Sequence, residues 1–216
     1  MIMYASRTGT YSTLDRMQAF GWRILMSPVT LKDCKGKRAQ RWTDGTAAKY
    51  ALDNGAWTAY QQGRPFDSDA FLWAFERIGA GADWVVAPDI VGGGLASLDL
   101  TARWLDRLDH PLALIAVQDG MTPADVAPLM GPGRGIFLGG STEWKLKTIA
   151  QWGNSAREWG AYYHVARVNT ARRIRMAQCA GAHSVDGTSA IQFPDSIGLL
   201  NDTARQACLF SRSYDV

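Results

Sequence analysis

Three aspartates carry the densest chemical information in this chain. They are Asp53 in Leu52-Asp53-Asn54-Gly55-Ala56, Asp89 in Ala87-Pro88-Asp89-Ile90, and Asp186 in Ser184-Val185-Asp186-Gly187. Each closes a short apolar run of the kind that forms a buried strand. Gln118-Asp119, Gly139-Gly140-Ser141 and Arg167 to Asn169 stand at the same kind of position. One Asp after a strand commonly caps the next helix or makes an Asx turn. Three of them, alongside Gln and Gly-Gly, point instead to a site. Clustered carboxylates allow acid and base roles to be divided, or a nucleophile to be paired with an acid as in retaining glycosidases. They do not choose the reaction by themselves. Metal binding stays open at this point, with His164 as an extra ligand, although a lone strand histidine is more often a packed core residue; no metal is assigned.

The glycines have two readings each. Gly139-Gly140 admits a flat ligand against the backbone and offers N–H donors, or it makes a tight turn. Gly92-Gly93-Gly94 is either a loop over the site or a plain helix start. Gly-x-x-x-x-Gly-Lys-[Ser/Thr] is absent, so neither is a phosphate loop. Two basic clusters stand near the acids in sequence, one before Asp53 and one before Asp186. Lys32, Lys35, Lys37, Arg38 and Arg41 face a single acid, Asp33, within 32–41, and Arg167, Arg172, Arg173 and Arg175 form the second. Such runs are usually solvated faces. Two of them beside an acidic pocket fit a nucleic-acid backbone held over a reaction centre.

The elements that must position these residues alternate. Strand-like runs occur near 2–5, 23–27, 49–53, 84–88, 112–117, 136–138, 162–166 and 183–186, and 84–88 and 112–117 barely alternate, as in strands covered on both faces. Helical patterns fall at 13–20, 67–79, 95–108, 123–130, 142–158, 170–180 and near 200–207, with Asp67-Ser68 and Thr122-Pro123 as start signals. The one long connection, 28–48, is basic and polar. Eight strands separated by helices predict a single α/β domain, a minimal (β/α)8 TIM barrel spanning 1–216, with a doubly wound open sheet as the other topology of this pattern. A barrel gathers its C-terminal strand ends, and hence the three aspartates, at one mouth.

Composition sets the outer limits. The 216 residues are 47% hydrophobic with nine Trp, enough for one substantial core. Three cysteines without Cys-x-x-Cys spacing argue against a disulfide framework or zinc knuckle, so reduced thiols in a cytoplasmic setting are expected. Neither a signal peptide nor a membrane span is legible, and no membrane partner is expected. A net charge of +3 leaves polyanion binding to local clusters.

Taken in order, the motifs resemble the tRNA-guanine transglycosylase superfamily, particularly the small DNA-modifying branch that inserts 7-deazaguanine bases into phage or genomic-island DNA. The family's Asp-Ser-Gly-Gly turn is similar to Asp53-Asn54-Gly55-Ala56, and its guanine-reading Asp is similar to Asp89. Its Gln-Gly pair resembles Gln118-Asp119-Gly120, with Asp119 inserted, and its Gly-Gly turn matches Gly139-Gly140. The nucleophilic Asp matches Asp186 in Gly181-Ala182-His183-Ser184-Val185-Asp186. The likeness covers roughly residues 49–190. The C-terminal Cys-x-Cys-x-x-Cys…His zinc subdomain of tRNA-acting members has no counterpart here, which favours DNA.

The resemblance implies a pentosyl base-exchange enzyme. Asp186 would attack C1′ of a flipped deoxyguanosine, Asp53 would shuttle protons, and Asp89 would accept from N1–H and the 2-amino group. Gln118 and the Gly140 N–H would meet the O6 side, and Tyr60, Trp57 or Phe137 would offer a stacking face. Lys35, Lys37, Arg38, Arg41, Arg167, Arg172 and Arg173 would hold DNA. The partners implied are DNA and a free 7-deazaguanine base such as 7-cyano-7-deazaguanine, with no cofactor. A barrel hydrolase acting on a small molecule, whether N-glycosidase or metal-dependent, and a non-catalytic DNA-binding module are the other functions these residues permit.

Overall fold

A computed structural model describes residues 1–6, 11–32 and 49–206. Its eight parallel strands are β1 Ile2–Ser6, β2 Arg23–Met26, β3 Tyr50–Leu52, β4 Val85–Val86, β5 Ala113–Val117, β6 Arg134–Leu138, β7 Tyr162–Val165 and β8 Ser184–Gly187. They pair in chain order, and β8 pairs back onto β1 with Tyr4 opposite Asp186, which closes the barrel and rules out the open sheet. All eight expected strands are present. The fourth shrinks to two residues, because Pro88 has no N–H to carry the ladder onward.

Period-2 alternation divides the strand side chains between two compartments. Met3, Ile24, Leu52, Val85 and Ile115 pack outward with the helices, while Tyr4, Leu25, Trp84, Leu114 and Ala116 fill the lumen. Every residue of β5 is buried, as a strand covered on both faces requires. At the N-terminal end the lumen closes on an Arg23–Asp83 ion pair of 2.9 Å, with the Tyr4 hydroxyl donating to Asp83 Oδ2 at 2.9 Å. The interior is therefore filled at its base, and the three aspartates are approached from the C-terminal mouth.

Helices α1 Tyr11–Ala19, α2 Pro28–Lys32, α3 Ala56–Gln61, α4 Ser68–Ile78, α5 Leu95–Leu105, α6 Pro123–Val126, α7 Thr142–Glu158, α8 Ala171–Cys179, α9 Ser189–Gln192 and α10 Ile197–Arg205 surround it. Side-chain caps start three of them: Asp67 accepts from Ala70 N, Ser141 from Trp144 N and Thr170 from Arg173 N. Where the spacing predicts a helix to 130, α6 stops at Val126. Pro128 breaks the α pattern, and the chain tightens into a 3-10 turn over Ala127–Leu129. Helices α2, α3 and α9, of five, six and four residues, are too short for periodicity to register.

Lys35, Lys37, Arg38 and Arg41 of the first basic cluster lie outside the described residues, as do Cys34 and Cys208. Cys179 is disulfide-bonded, which corrects the expectation of reduced thiols; an odd cysteine count leaves room for one bridge. Among the described residues no helix is long and apolar enough to cross a membrane.

Candidate active site

Asp53 is placed by the strand ladder itself: its backbone N–H donates to Met26 O at 2.7 Å, one residue past the end of β3. The chain then turns through Gly55, whose φ of 84° is left-handed and whose N–H donates to Asp53 Oδ2 at 3.1 Å. A side chain there would be strained, and its Cβ would come within 3.3 Å of Pro28. Between them sits buried Asn54. Its Nδ2 donates to Asp89 Oδ1 at 2.8 Å and to Ala87 O at 2.9 Å, while its Oδ1 accepts from Ala56 N at 2.8 Å. One amide thus ties the Asp53 turn to the Asp89 carboxyl.

Helix α5 fixes Asp89 from the other side. The buried Thr101 hydroxyl donates to Pro88 O at 2.9 Å, and buried Ser97 Oγ accepts from Ile90 N at 2.9 Å. Gln118, expected to contact substrate, spends both ends of its carboxamide on the adjoining loop. Nε2 donates to Ile90 O at 2.8 Å, and Oε1 accepts from Gly92 N at 2.6 Å. Its place is beneath the loop that carries Asp89.

Asp186 points inward from β8. Its Oδ1 accepts from His164 Nε2 at 2.9 Å and from the Arg167 backbone N–H at 3.1 Å. His164 is fully buried on β7, and its Nδ1 meets Ser184 Oγ at 2.7 Å. Both ring nitrogens are engaged, so the metal-ligand reading of His164 finds no free nitrogen. Among the described residues no cluster of His, Cys, Asp and Glu could hold a metal ion.

The carboxyls do not share one protonation behaviour. Burial, reinforced by the negative charges of Asp186 and Asp89, pushes Asp53 up to about 7 against the opposing Gly55 and Asn54 amides. Asp53 nevertheless keeps some contact with solvent. Burial raises Asp89 to about 6, with the Asn54 hydrogen bond opposing. Asp53 and Asp89 thus lose their protons in sequence rather than together.

A buried cation escapes any reading of the sequence alone. Lys145 lies in the first turn of α7 and donates from Nζ to Ala166 O. Burial, with Arg167 and Arg173 pushing the same way, brings it down to about 8 against the pull of Asp186 and Asp119. A lysine at a helix start reads as solvated. Its neighbour Lys147 does pair outside, with Glu143 at 2.7 Å, and the two-residue step turns Lys145 inward.

The rim completes the pocket. Gly139 N–H is used in the ladder to Val117 O at 2.9 Å, whereas Gly140 N–H donates to no group among the described residues. Gly140 has φ 70°, and a Cβ there would lie 2.6 Å from Asp119 Oδ2 and 2.7 Å from the Trp144 ring. Asp119 accepts from Ser141 N at 2.6 Å and Ser141 Oγ at 2.5 Å. It therefore braces the Gly-Gly turn rather than entering the pocket. Arg167, with an unusual φ of 56°, donates to Gly140 O and lays its guanidinium 4.2 Å from the centre of the Trp57 ring. Trp57 stacks on Tyr60 at 5.8 Å, and both are exposed. Phe137 is instead a lumen residue stacked on His164, away from the rim. Arg172 and Arg173 open α8 at this same end of the barrel. The arrangement can hold a flat, hydrogen-bonding ligand between aromatic, backbone and carboxyl groups, with one acid protonated near neutrality.

No family model matches the chain, and no curated protein matches it. Among solved structures it is similar to 3-hexulose-6-phosphate synthase from Salmonella typhimurium, with a TM-score of 0.58 at 14% identity over 98% of this chain and 100% of that one. At that identity the likeness speaks for the barrel alone.

Proposed function

We propose that this chain is a DNA-guanine transglycosylase, exchanging guanine in DNA for a 7-deazaguanine base. The observation that carries the reading is the division among the mouth's carboxyls: Asp53 holds a proton up to about pH 7, beside an Asp186 whose Oδ1 is fixed by two N–H donors. An Asp186 carboxylate oxygen attacks C1′, forming an ester as the C1′–N9 bond breaks, and the departing guanine takes the Asp53 proton. In the second half the incoming base gives its N9 proton to ionised Asp53, N9 bonds to C1′, and Asp186 leaves. The exchange balances without an oxidant or reductant.

Recognition follows from the same groups. Ionised Asp89 accepts from the guanine N1–H and 2-amino donors, the Gly140 N–H faces O6, and Trp57 supplies the stacking face. Gln118 contributes by shaping the Ile90–Gly92 loop. Flipping the target nucleotide costs a few kcal/mol, which stacking and Arg167, Arg172 and Arg173 contacts to the backbone offset.

The test needs no natural base. Duplex DNA incubated with radiolabelled guanine should gain label with the wild-type protein. Label that stays free while N-glycosides are cleaved to sugar and base would replace this reading with a hydrolase.

A further inference from the structure

His164 sits halfway along β7, opposite Ser184 of β8, with Asp186 two residues further on the same inward face. Phe137 stacks parallel to its ring at 4.9 Å and 15°, Trp84 leans on it at 4.7 Å, and Tyr4 meets it edge-on at 6.0 Å. Three aromatic walls leave the imidazole plane no freedom.

The hydrogen-bond directions follow from what each atom can do. A carboxylate oxygen only accepts, so the proton must be on Nε2. The neutral ring then accepts at Nδ1, so the Ser184 hydroxyl must donate. Burial lowers the imidazole's proton affinity, and Lys145 of α7 pushes the same way against Asp186 of β8. Tyr4 of β1 also lies beside the ring, its hydroxyl turned to Asp83, and Tyr162 of β7 reaches the Ser184 hydroxyl.

The consequence lies at Asp186. Its Oδ1 receives both the imidazole N–H and the Arg167 amide, while Oδ2 accepts no hydrogen bond among the described residues. One oxygen is anchored, and the other is left to react.

We propose that His164 is a positioning residue, its Nε2–H held by the Ser184–His164 pair so that Asp186 presents Oδ2 to the sugar. The proposal rests on reading Asp186 as the nucleophile. A ring that merely filled the lumen would be replaceable by an apolar side chain without kinetic cost; a positioning ring is not. A misplaced reacting group costs on the order of a hundredfold.

His164→Leu fills the space without a donor, and His164→Gln keeps an amide N–H within reach of Asp186. His164→Leu should lower kcat for guanine exchange by about ten- to a hundredfold, with KM and duplex affinity within about threefold. His164→Gln should recover most of that loss. Thermal unfolding of both variants identifies any general failure to fold. Independently, the imidazole nitrogens of the chain's three histidines can be labelled and followed by NMR. The His164 signals, assigned by their loss in His164→Gln, should report a neutral Nε2–H form that both Ser184→Ala and Asp186→Ala perturb.

A folded His164→Leu variant with wild-type kcat overturns the proposal, as does a charged or Nδ1–H ring. If the wild type exchanges no guanine, the transglycosylase reading falls. The NMR arm still decides the pairing: an Nε2–H signal moved by Asp186→Ala supports it, and one indifferent to that change defeats it.

Discussion

Asp53 and Asp186 are the same side chain at two corners of one mouth, and they have different neighbours. Burial, reinforced by two nearby carboxylates, outweighs the Gly55 and Asn54 amides at Asp53, so it keeps its proton up to about pH 7. Asp89, held by Asn54, ionises near 6. In the proposed reaction the first half-step needs Asp53 protonated and Asp89 ionised. Adduct formation without acceptor base should therefore be fastest between about pH 6 and 7, falling on the alkaline side as Asp53 ionises and on the acid side as Asp89 is protonated. Discharge by incoming base should show the opposite trend through pH 7. A single-turnover pH series checks both, and an alkaline limb that survives in Asp53→Asn would remove Asp53 from the proton path. The same shift has a cost in stability. A folded value above the unfolded one, near 4, means this group's contribution is intact below about pH 4 and is lost as pH rises through about 7. Asp53→Asn, which still accepts from Gly55 N–H, should stabilise the fold at pH 8 by on the order of 2 kcal/mol, less than the full shift because the group is partly solvated, and by nothing at pH 4. Denaturant unfolding at the two pH values measures it; equal gains at both would show that charge is not the cause.

Secondary elements hold these residues at strand ends through contacts that local patterns do not record. Helix α5 holds Asp89 through two hydroxyls, Ser97 accepting from Ile90 N and Thr101 donating to Pro88 O. Thr101→Val keeps the shape and leaves that buried carbonyl without its donor, at about 1–3 kcal/mol. Because Pro88 adjoins Asp89, the same change should raise KM for guanine severalfold with kcat little altered, readable from unfolding and exchange kinetics together. An unchanged KM would confine Thr101 to stability. Gly140→Ala should be harsher, since a left-handed turn and a Cβ 2.6 Å from Asp119 Oδ2 both oppose it. The barrel and its mouth are legible in sequence because strand ends are local: an apolar run followed by Asp, Gln or Gly-Gly locates Asp53, Asp89, Gln118, Gly139, Gly140 and Asp186 at the C-terminal strand ends. Partnerships are not local. Asn54 reaches 35 residues to Asp89, and Gln118 reaches 26 residues back to Gly92, so neither direction can be read from spacing. Lys145 reads as one of two solvated lysines until the helix phase is known, and the ring partners of His164 depend on inter-strand register.

Across the whole molecule, closure of β8 onto β1 brings residues 53, 89, 140 and 186 from separate strands to one opening, with the other end blocked by Arg23 and Asp83. In the proposed reaction, DNA would reach them across the rim that carries Trp57, Tyr60 and Arg167, with Arg172 and Arg173 at the start of α8. With a net charge of +3, polyanion affinity has to come from such local groups. Neutralising Arg172 and Arg173 together should flatten the salt dependence of DNA binding by roughly 0.9 in log–log slope for each phosphate no longer neutralised, and an unchanged slope would make them solvated surface. The mouth also predicts a trapped species. If Asp186 attacks C1′, expulsion of guanine leaves an ester joining the protein to the DNA. Without an acceptor base that ester should persist, because a flipped nucleotide filling the pocket keeps water from it. Denaturing electrophoresis of the protein with a guanine-containing oligodeoxynucleotide should therefore show a shifted band. Free guanine should discharge it, which no adventitious crosslink would do, and Asp186→Asn should never form it. Asp186→Ala should likewise lose about a thousandfold or more in exchange while binding duplex within a few-fold, since a missing nucleophile need not disturb the groups that hold the backbone. Substrate choice is read in the same gel: the band should form with DNA and be faint or absent with tRNA. A band with tRNA alone would move the substrate to RNA and leave the chemistry at Asp186 standing.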